Sequence, residues 1–171
     1  MPFAPASQQS SLVAALVATV PDLHRCCRDP WVVIGSSAAW LSGAAVQVAD
    51  LDVLASVRDV QTMAAHWQAH RDADHVAADS PRFRSRLERF FFSGFPVEVM
   101  GKLEVGGPQG WMPVRIGAVT RVQIAGVSVP IPTRAEQIRV LRSFSRPKDF
   151  ERVALLEALS AADLERPDLG R

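Results

Sequence analysis

The sequence predicts an α/β (α+β) fold, in which a mixed β-sheet is flanked by helices and followed by a C-terminal helical pair. Three observations support this prediction. The continuous apolar run Trp31–Ile34 is typical of a strand buried on both faces. A second strand is predicted over Val46–Ala55, with side chains alternating between two faces. A Thr-x-x-Glu capping box at Thr133 and Glu136 marks the start of the first C-terminal helix.

The composition indicates a folded protein of moderate size. Its 171 residues are 48% hydrophobic, which is typical of a globular chain and not of a disordered one. We expect one structural unit, with a core at residues 1–131 that begins with a loose arm at 1–9, and with helices at 132–171 packed on that core. The net charge of +1 provides no global field for nucleic acid, although local arginine clusters keep such a partner open.

Cysteine usage and hydropathy indicate a cytoplasmic protein. Cys26 and Cys27 are adjacent, and there is no other cysteine to complete a metal-binding spacing or a disulfide framework. The apolar run Leu12–Val20 is nine residues long, which is too short to cross a bilayer. Residues 1–11 contain no basic residue, so we do not expect a secretory signal. No membrane partner is expected.

The first predicted element is a helix that Ser10 or Ser11 caps and that extends through Val20 or on toward Arg28. Another helix is predicted from Ser56 to about Ala69, because Ser56 and Asp59 form a plausible capping box. A short strand is expected at 74–78.

The junction after Trp31–Ile34 predicts an anion site. Ser36 and Ser37 are candidate caps for a helix that Gly43 would end in a left-handed conformation. Free N–H groups at a helix start attract anions, and we expect both serine hydroxyls to face outward. Gly35, Ser36 and Ser37 are therefore predicted to bind phosphate.

The acids Asp50 and Asp52 are candidate metal ligands. On one face of a strand, residues two apart have Cα atoms roughly 6.5–7 Å apart, close enough for their carboxylates to bind one Mg²⁺ or bridge two ions. Mg²⁺ prefers such oxygen ligands and completes its shell with water and substrate phosphates. The alternative is that Asp50 is a solvated residue at the strand entry and Asp52 an edge-strand charge.

Glu98 is the third candidate acid. The runs 82–92 and 97–100 predict two strands joined by a tight turn, with Val97 and Val99 facing the core and Glu98 facing the other way. If this strand lies beside the one that carries Asp52, Glu98 can bind metal or accept a proton. The alternative is a surface acid paired with an arginine, one of Arg84, Arg86 and Arg89.

Several other features have weaker functional interpretations. Arg82, Arg84, Arg86 and Arg89 form a basic row that could contact a triphosphate or a nucleic-acid backbone, or serve as a solubilising edge. His66 and His70 are four apart, but a zinc site would need a further ligand, so a solvated helix end is the better interpretation. The segment 102–112 predicts a mobile loop, and 119–131 a hairpin with its turn at Ala125-Gly126.

The first motifs resemble the pattern of the nucleotidyltransferase superfamily: Gly35-Ser36-Ser37, then Gly43, then Asp50-Leu51-Asp52. Members of that superfamily transfer a nucleoside monophosphate from an NTP to an acceptor hydroxyl or phosphate, using two metal ions and a third acid on a later strand. The resemblance implies Mg²⁺ or Mn²⁺ as cofactor, with Asp50, Asp52 and Glu98 as ligands. Glu98 departs from the aspartate that is usual in the family.

The C-terminal helices, predicted from Thr133 to about Phe144 and from about Pro147 to Leu159, sharpen this resemblance. They resemble the closing helices of abortive-infection-type (type IV toxin) nucleotidyltransferases and of minimal relatives, with a basic residue followed by Arg-x-Lys-Asp. Lys148 and Asp149 match, whereas Arg142 replaces a frequent lysine and Arg152 a frequent second acid. Lys148 near the phosphates could neutralise the leaving pyrophosphate, and Asp149 could hold it or accept from an N-terminal amide, so both are candidate phosphate-binding residues. The alternative is a helix-start acid beside a surface lysine.

Together these features predict a metal-dependent nucleotidyltransferase with NTP as substrate. Asp50, Asp52, Glu98 and Lys148 are its candidate catalytic residues, and tRNA or other RNA, a protein or a small molecule is its acceptor. An alternative keeps the fold without the chemistry, as a module that binds nucleotide or a partner protein, for example an antitoxin in a toxin–antitoxin pair.

Overall fold

A computed structural model of the protein describes residues 6–76 and 80–159. The helices within these ranges are α1 (Ala6–Cys26), α2 (Gly35–Leu41), α3 (Val57–His66), α4 (Arg134–Phe144) and α5 (Pro147–Glu157), with a short 3₁₀ helix at Gln68–His70. The strands are β1 (Val32–Ile34), β2 (Leu51–Ala55), β3 (Phe83–Phe92), β4 (Phe95–Gly107), β5 (Gly110–Pro113), β6 (Val119–Ile124) and β7 (Val127–Pro132). None of the helices in the described part has the length and apolar character required to cross a bilayer.

The first five strands form one mixed sheet. Their order is β1-β2-β4-β3, and β5 pairs with the C-terminal end of β4. β2 and β4 run parallel, whereas the other neighbours in this sheet are antiparallel. β6 and β7 form a separate antiparallel pair. The predicted mixed sheet with flanking helices and a C-terminal helical pair is confirmed.

The core is centred on the strands β1, β2 and β4. Their inward side chains are fully or almost fully buried, and α1 and α3 contribute apolar residues to the same cluster. Members with no exposed surface include Leu12, Leu16, Leu23, Val33, Leu51, Val53, Val60, Met63, Val97 and Val99. All three residues of β1 are buried, whereas in β2 and at the start of β4 buried and half-buried side chains alternate, so one face of these two strands packs on the core.

Local sequence signals explain several helix boundaries. Gly43 has φ +97°, its N–H donates to Trp40 O, and Ala44 N–H donates to Ala39 O, which together end α2 as predicted. The Ser56 hydroxyl accepts from Asp59 N–H at the start of α3, as the sequence predicts for an N-cap.

Two-residue turns define both predicted hairpins. Ser93-Gly94 joins β3 to β4, and Ala125-Gly126 joins β6 to β7; all four residues have positive φ. Positive φ at both central residues is the geometry of the turn that matches strand twist. The prediction of a mobile loop at 102–112 is wrong, because β4 continues to Gly107 and forms a further hairpin with β5.

Other boundaries also differ from the predictions. The loose arm predicted at 1–9 is helical from Ala6, and residues 1–5 lie outside the described part. Residues 74–76 form no strand, and 77–78 of that predicted element are not among the described residues. The strand predicted from Val46 begins only at Leu51: Ala44, Val46 and Val48 alternate in burial with their neighbours, but a bend at Asp50 interrupts the segment.

Helices α4 and α5 pack against each other and against α2. The Gln137 side-chain amide donates to Ser42 Oγ at 2.8 Å, which ties α4 to the end of α2. On α5, Val153 and Leu156 are buried, whereas Phe150 is 52% exposed. α5 therefore lies beside α2, the helix that begins at Gly35.

Candidate active site

The three candidate acids lie at the start of the parallel strands. Asp52 is level with Glu98 in the β2–β4 ladder and with Ile34 in the β1–β2 ladder. The predicted neighbourhood of Asp52 and Glu98 is therefore confirmed. Asp50 differs from the prediction, since it lies one residue before β2, at the bend, and not on the strand.

The bend does not separate Asp50 from the other acids. One carboxylate oxygen from each of Asp50, Asp52 and Glu98 can be chosen so that the three lie within 4.8 Å of one another. All three side chains are half-buried. Three converging hard oxygen donors, open to solvent for the remaining ligands, suit Mg²⁺ or Mn²⁺. The donor set thus fits the predicted ion.

The acids repel one another in the absence of a cation. Loss of hydration raises the pKa of Asp52 to about 8, and the charges of Asp50 and Glu98 act in the same direction. The pKa of Glu98 is also raised, first by burial and then by Asp50, although Arg89 and His75 oppose this. A group of acids that keeps a proton near neutral pH is short of positive charge, which a divalent cation would supply.

Gly35 allows the β1–α2 turn to approach Asp52. It has φ +68°, and a Cβ atom at this position would lie 2.7 Å from Asp52 Oδ2. Every other residue type would therefore meet both backbone strain and a direct clash with the carboxylate. The turn therefore lies directly against the Asp52 carboxylate.

The two serines behave differently from the prediction. Neither caps α2, whose N-cap is Ile34 with no side-chain hydrogen bond. Ser36 and Ser37 are 4% and 0% exposed, so the expectation that both hydroxyls face outward is wrong. Ser37 Oγ donates to Asp50 O at 2.7 Å and so fixes the bend that carries the first acid.

Two cations of α5 act electrostatically on the acids. The charges of Arg152 and Lys148 both lower the pKa of Asp52, with Arg152 having the larger effect. These residues are four apart and lie on one face of the helix. Sequence reasoning treated Arg152 only as a departure from the family pattern, yet its spacing from Lys148 was a usable signal.

Asp149 is fully buried and already paired. Its Oδ2 accepts from Arg146 N and Nε, at 3.1 and 2.7 Å, and its Oδ1 accepts from Arg146 Nη2 at 2.9 Å. Arg152 Nη1 lies 3.8 Å from the same Oδ1. The structure therefore brings Asp149 to Arg152 and not to the protein surface.

The basic row on β3 is divided among several partners. Arg84 donates to Glu104 at 2.6 Å and lies over the Trp111 ring, and Arg82 donates to Phe144 O at 2.8 Å. Only Arg89 approaches an acid of the site, with Nη1 3.8 Å from Glu98 Oε1. β3 is an edge strand, as the solubilising-edge interpretation requires.

Two other sequence features lie in separate surroundings. His66 Nε2 contacts Asp22 Oδ2 at 3.0 Å, and His70 stacks on Phe92, and both histidines are exposed, as expected at a solvated helix end. Arg142 pairs with Glu157 on the exposed face of the C-terminal helices.

No protein-family model matches the sequence, and no curated protein matches it. Several solved structures, however, have a similar fold. A candidate nucleotidyltransferase from Thermotoga maritima has a TM-score of 0.66 at 19% identity, over 82% of this chain and 89% of that one. The lincosamide antibiotic adenylyltransferase LnuA, with lincomycin bound, has a TM-score of 0.52 at 7% identity, over 93% and 100%.

A third neighbour is the antibiotic-resistance factor ANT(2'')-Ia, with a TM-score of 0.53 at 13% identity, over 93% of this chain and 88% of that one. At these identities the likeness concerns the fold alone, and the abortive-infection branch stays a prediction. The chain therefore has the fold of the nucleotidyltransferases, with three candidate metal ligands at the start of its parallel strands.

Proposed function

We propose that the protein is a metal-dependent nucleotidyltransferase that moves a nucleoside monophosphate from an NTP to an acceptor and releases pyrophosphate. The observation that carries the proposal is the convergence of Asp50, Asp52 and Glu98 within 4.8 Å, next to the Gly35 turn. Bound Mg²⁺ or Mn²⁺ would neutralise phosphate charge and activate the acceptor. These three acids lie on a fold that the chain shares with a solved adenylyltransferase.

In this proposal, the acids on one side of the site and the cations of α5 on the other have different roles. Asp50, Asp52 and Glu98 hold the cation and orient the acceptor, and Glu98 is the candidate to take its proton. Lys148 and Arg152 face them from α5 and stabilise the charge that develops on the leaving pyrophosphate.

Two sets of residues position these groups. Gly35 and Ser36 place backbone N–H groups beside the phosphates, while Ser37 fixes Asp50 through its hydrogen bond. The buried Asp149 carboxylate holds Arg146 and stands next to Arg152, so its role is to orient the cations and not to touch phosphate.

Labelled transfer tests the proposal. The protein is incubated with each α-labelled NTP and Mg²⁺ or Mn²⁺, together with tRNA, protein or small hydroxyl compounds as acceptors. We expect label on one acceptor class, matched by pyrophosphate. Asp52→Ala should abolish both, whereas Glu104→Gln should preserve them, because Glu104 is an acid of β4 that pairs with Arg84 away from the triad. Transfer that survives Asp52→Ala would overturn the proposal.

Binding measurements separate the enzyme from an inactive module. Thermal shift with each NTP, with and without Mg²⁺, should show stabilisation that requires the metal and that Asp52→Ala removes. Metal-dependent binding without transfer to any acceptor class would favour the nucleotide-binding module.

A further inference from the structure

Arg89 is aligned with two of the acids across three neighbouring strands. Asp52 of β2 is level with Glu98 of β4, and Glu98 is level with Arg89 of β3. Residues that are level in adjacent strands share a face of the sheet, with Cβ atoms about 4.5–5.5 Å apart. The sheet thus places a cation next to the outer acid of the candidate metal site.

The guanidinium of Arg89 lies between two carboxylates without a hydrogen bond to either. Its Nη1 is 3.8 Å from Glu98 Oε1, and its Nε is 4.0 Å from Asp72 Oδ2. Hydrogen bonds between such groups are about 2.7–2.9 Å long, so both contacts are loose. Within the described part of the chain the buried Nε has no acceptor. A small movement of the side chain could therefore complete either pair.

Asp72 is held beside Arg89 independently of the metal site. Its backbone N–H donates to Arg89 O at 2.8 Å, and the preceding residue, Arg71, forms a bridge with Phe90. Arg71 also pairs with Glu88 at 2.8 Å. Among the described residues, the acids that converge at the candidate metal site are Asp50, Asp52 and Glu98, and Asp72 is not one of them. It is therefore a fixed second partner for the guanidinium.

We propose that Arg89 is an exchangeable counter-ion of Glu98, which lies between Glu98 and Asp72 when the cation site is empty and moves to Asp72 when a divalent cation takes the Glu98 carboxylate. This inference rests on the metal site of the proposed function. Its physical basis is that a guanidinium and a divalent cation compete for one carboxylate and repel each other at short distance. Arg89 is thus a positioning residue.

Metal titrations without nucleotide test this inference. The affinity for Mn²⁺ is measured by calorimetry on the wild type and on Arg89→Gln, Asp72→Asn and the double variant. Arg89→Gln removes the competitor, so it should bind Mn²⁺ about fivefold more tightly or better. Asp72→Asn removes the second partner and should weaken binding by a similar factor. In the double variant the effect of Asp72→Asn should disappear.

Two controls exclude a merely structural effect. Arg84→Gln removes a neighbouring arginine of β3 that pairs with Glu104, and it should leave the Mn²⁺ affinity unchanged. Arg89→Lys keeps the positive charge and should stay closer to the wild type than Arg89→Gln does, which also serves if the glutamine variant fails to fold.

The outcomes distinguish this inference from the proposed function. Opposite shifts for Arg89→Gln and Asp72→Asn support the exchange. Weaker binding in both variants, or no change in either while the wild type binds Mn²⁺, overturns the exchange alone. A wild type that binds no divalent cation overturns the metal site together with the exchange.

Discussion

Two groups of carboxylates in this protein have opposite surroundings. Glu136 is buried in α4, where Gly117 N–H donates to it at 2.6 Å and Arg139 donates at 2.7 and 2.9 Å. These bonds, led by that of Arg139, lower its pKa to about 2. Asp52 instead lies beside two further acids, and its pKa is raised to about 8. Within the described residues, Glu136 thus accepts hydrogen bonds from its own chain, whereas Asp52 lies among like charges.

This difference in hydrogen bonding and charge distinguishes acids with a structural role from candidate functional acids. Asp149, at the start of α5, belongs with Glu136, because its oxygens accept three hydrogen bonds from Arg146. Folding alone satisfies such groups. Asp50, Asp52 and Glu98 instead hold like charges together, which costs stability unless a cation binds. A site of this kind is more stable with its ligand than without it.

The largest expected effect comes from Asp52→Asn. It should lower nucleotide transfer by at least about 100-fold, since it removes a central metal ligand. Without metal it should be more stable than the wild type. The raised pKa of Asp52 means that the folded wild type loses stability as pH rises from about 4 toward 8, and asparagine cannot ionise.

Melting temperatures in EDTA at pH 6 and pH 8 measure this stabilisation. The variant should melt higher by about 3 °C or more, with the larger gap at pH 8. A variant that melts lower than the wild type at both pH values would contradict the inference that the Asp52 carboxylate, unlike that of Glu136, destabilises the fold when it is charged.

Asp149→Ala should produce the largest loss of stability. It leaves the guanidinium of Arg146 without two hydrogen bonds, the backbone N–H of Arg146 without its acceptor and Arg152 without its counter-charge. Breaking a buried pair costs about 3–5 kcal/mol, and about 2–3 kcal/mol is expected here because both arginines are partly exposed. Urea unfolding measures the change. Glu157→Gln, also on α5, breaks the exposed pair with Arg142 of α4 and should cost less than about 0.5 kcal/mol.

Gly35→Ala should be more damaging than the same change at Gly94. Both glycines have positive φ, +68° and +78°, so both variants acquire backbone strain of about 1 kcal/mol. Only at Gly35 would the new Cβ meet an atom within 4 Å, namely Asp52 Oδ2 at 2.7 Å. We expect an additional loss of about 1–2 kcal/mol together with weaker Mn²⁺ binding. Equal losses in the two variants would show that Asp52 is free to move away.

The smallest effect concerns Glu136 and acid. Because its pKa is lowered from 4.5 to about 2, its stabilising contribution is complete above pH 4.5 and is lost as pH falls toward 2. Glu136→Gln should therefore be less stable than the wild type near neutral pH, and the difference should shrink over that interval. Unfolding curves at pH 6, 4 and 3 measure it. A difference that does not depend on pH would assign the effect to packing.

Local patterns were sufficient for most of the fold. The two-residue turn at Ser93-Gly94 fixes the register of its hairpin, so Arg89 opposite Glu98 could have been counted from the sequence. Ser56, Gly43 and Pro147 mark helix ends because capping and φ restrictions act over a few residues. By contrast, the 102–112 prediction failed because its glycines signal turns equally in a loop and in a hairpin.

For the candidate site, too, part of the arrangement follows from local sequence patterns and part from the tertiary structure. The sequence by itself predicted that Gly35 directly follows a buried strand and that Asp52 and Glu98 lie on strands, because apolar runs and turns place them there. Only the tertiary structure decided that β2 and β4 are neighbours, that Ser37 is buried against Asp50 and that Asp149 is sealed by Arg146. Burial and charge pairing depend on which distant segments pack together, and no short stretch of sequence contains that information.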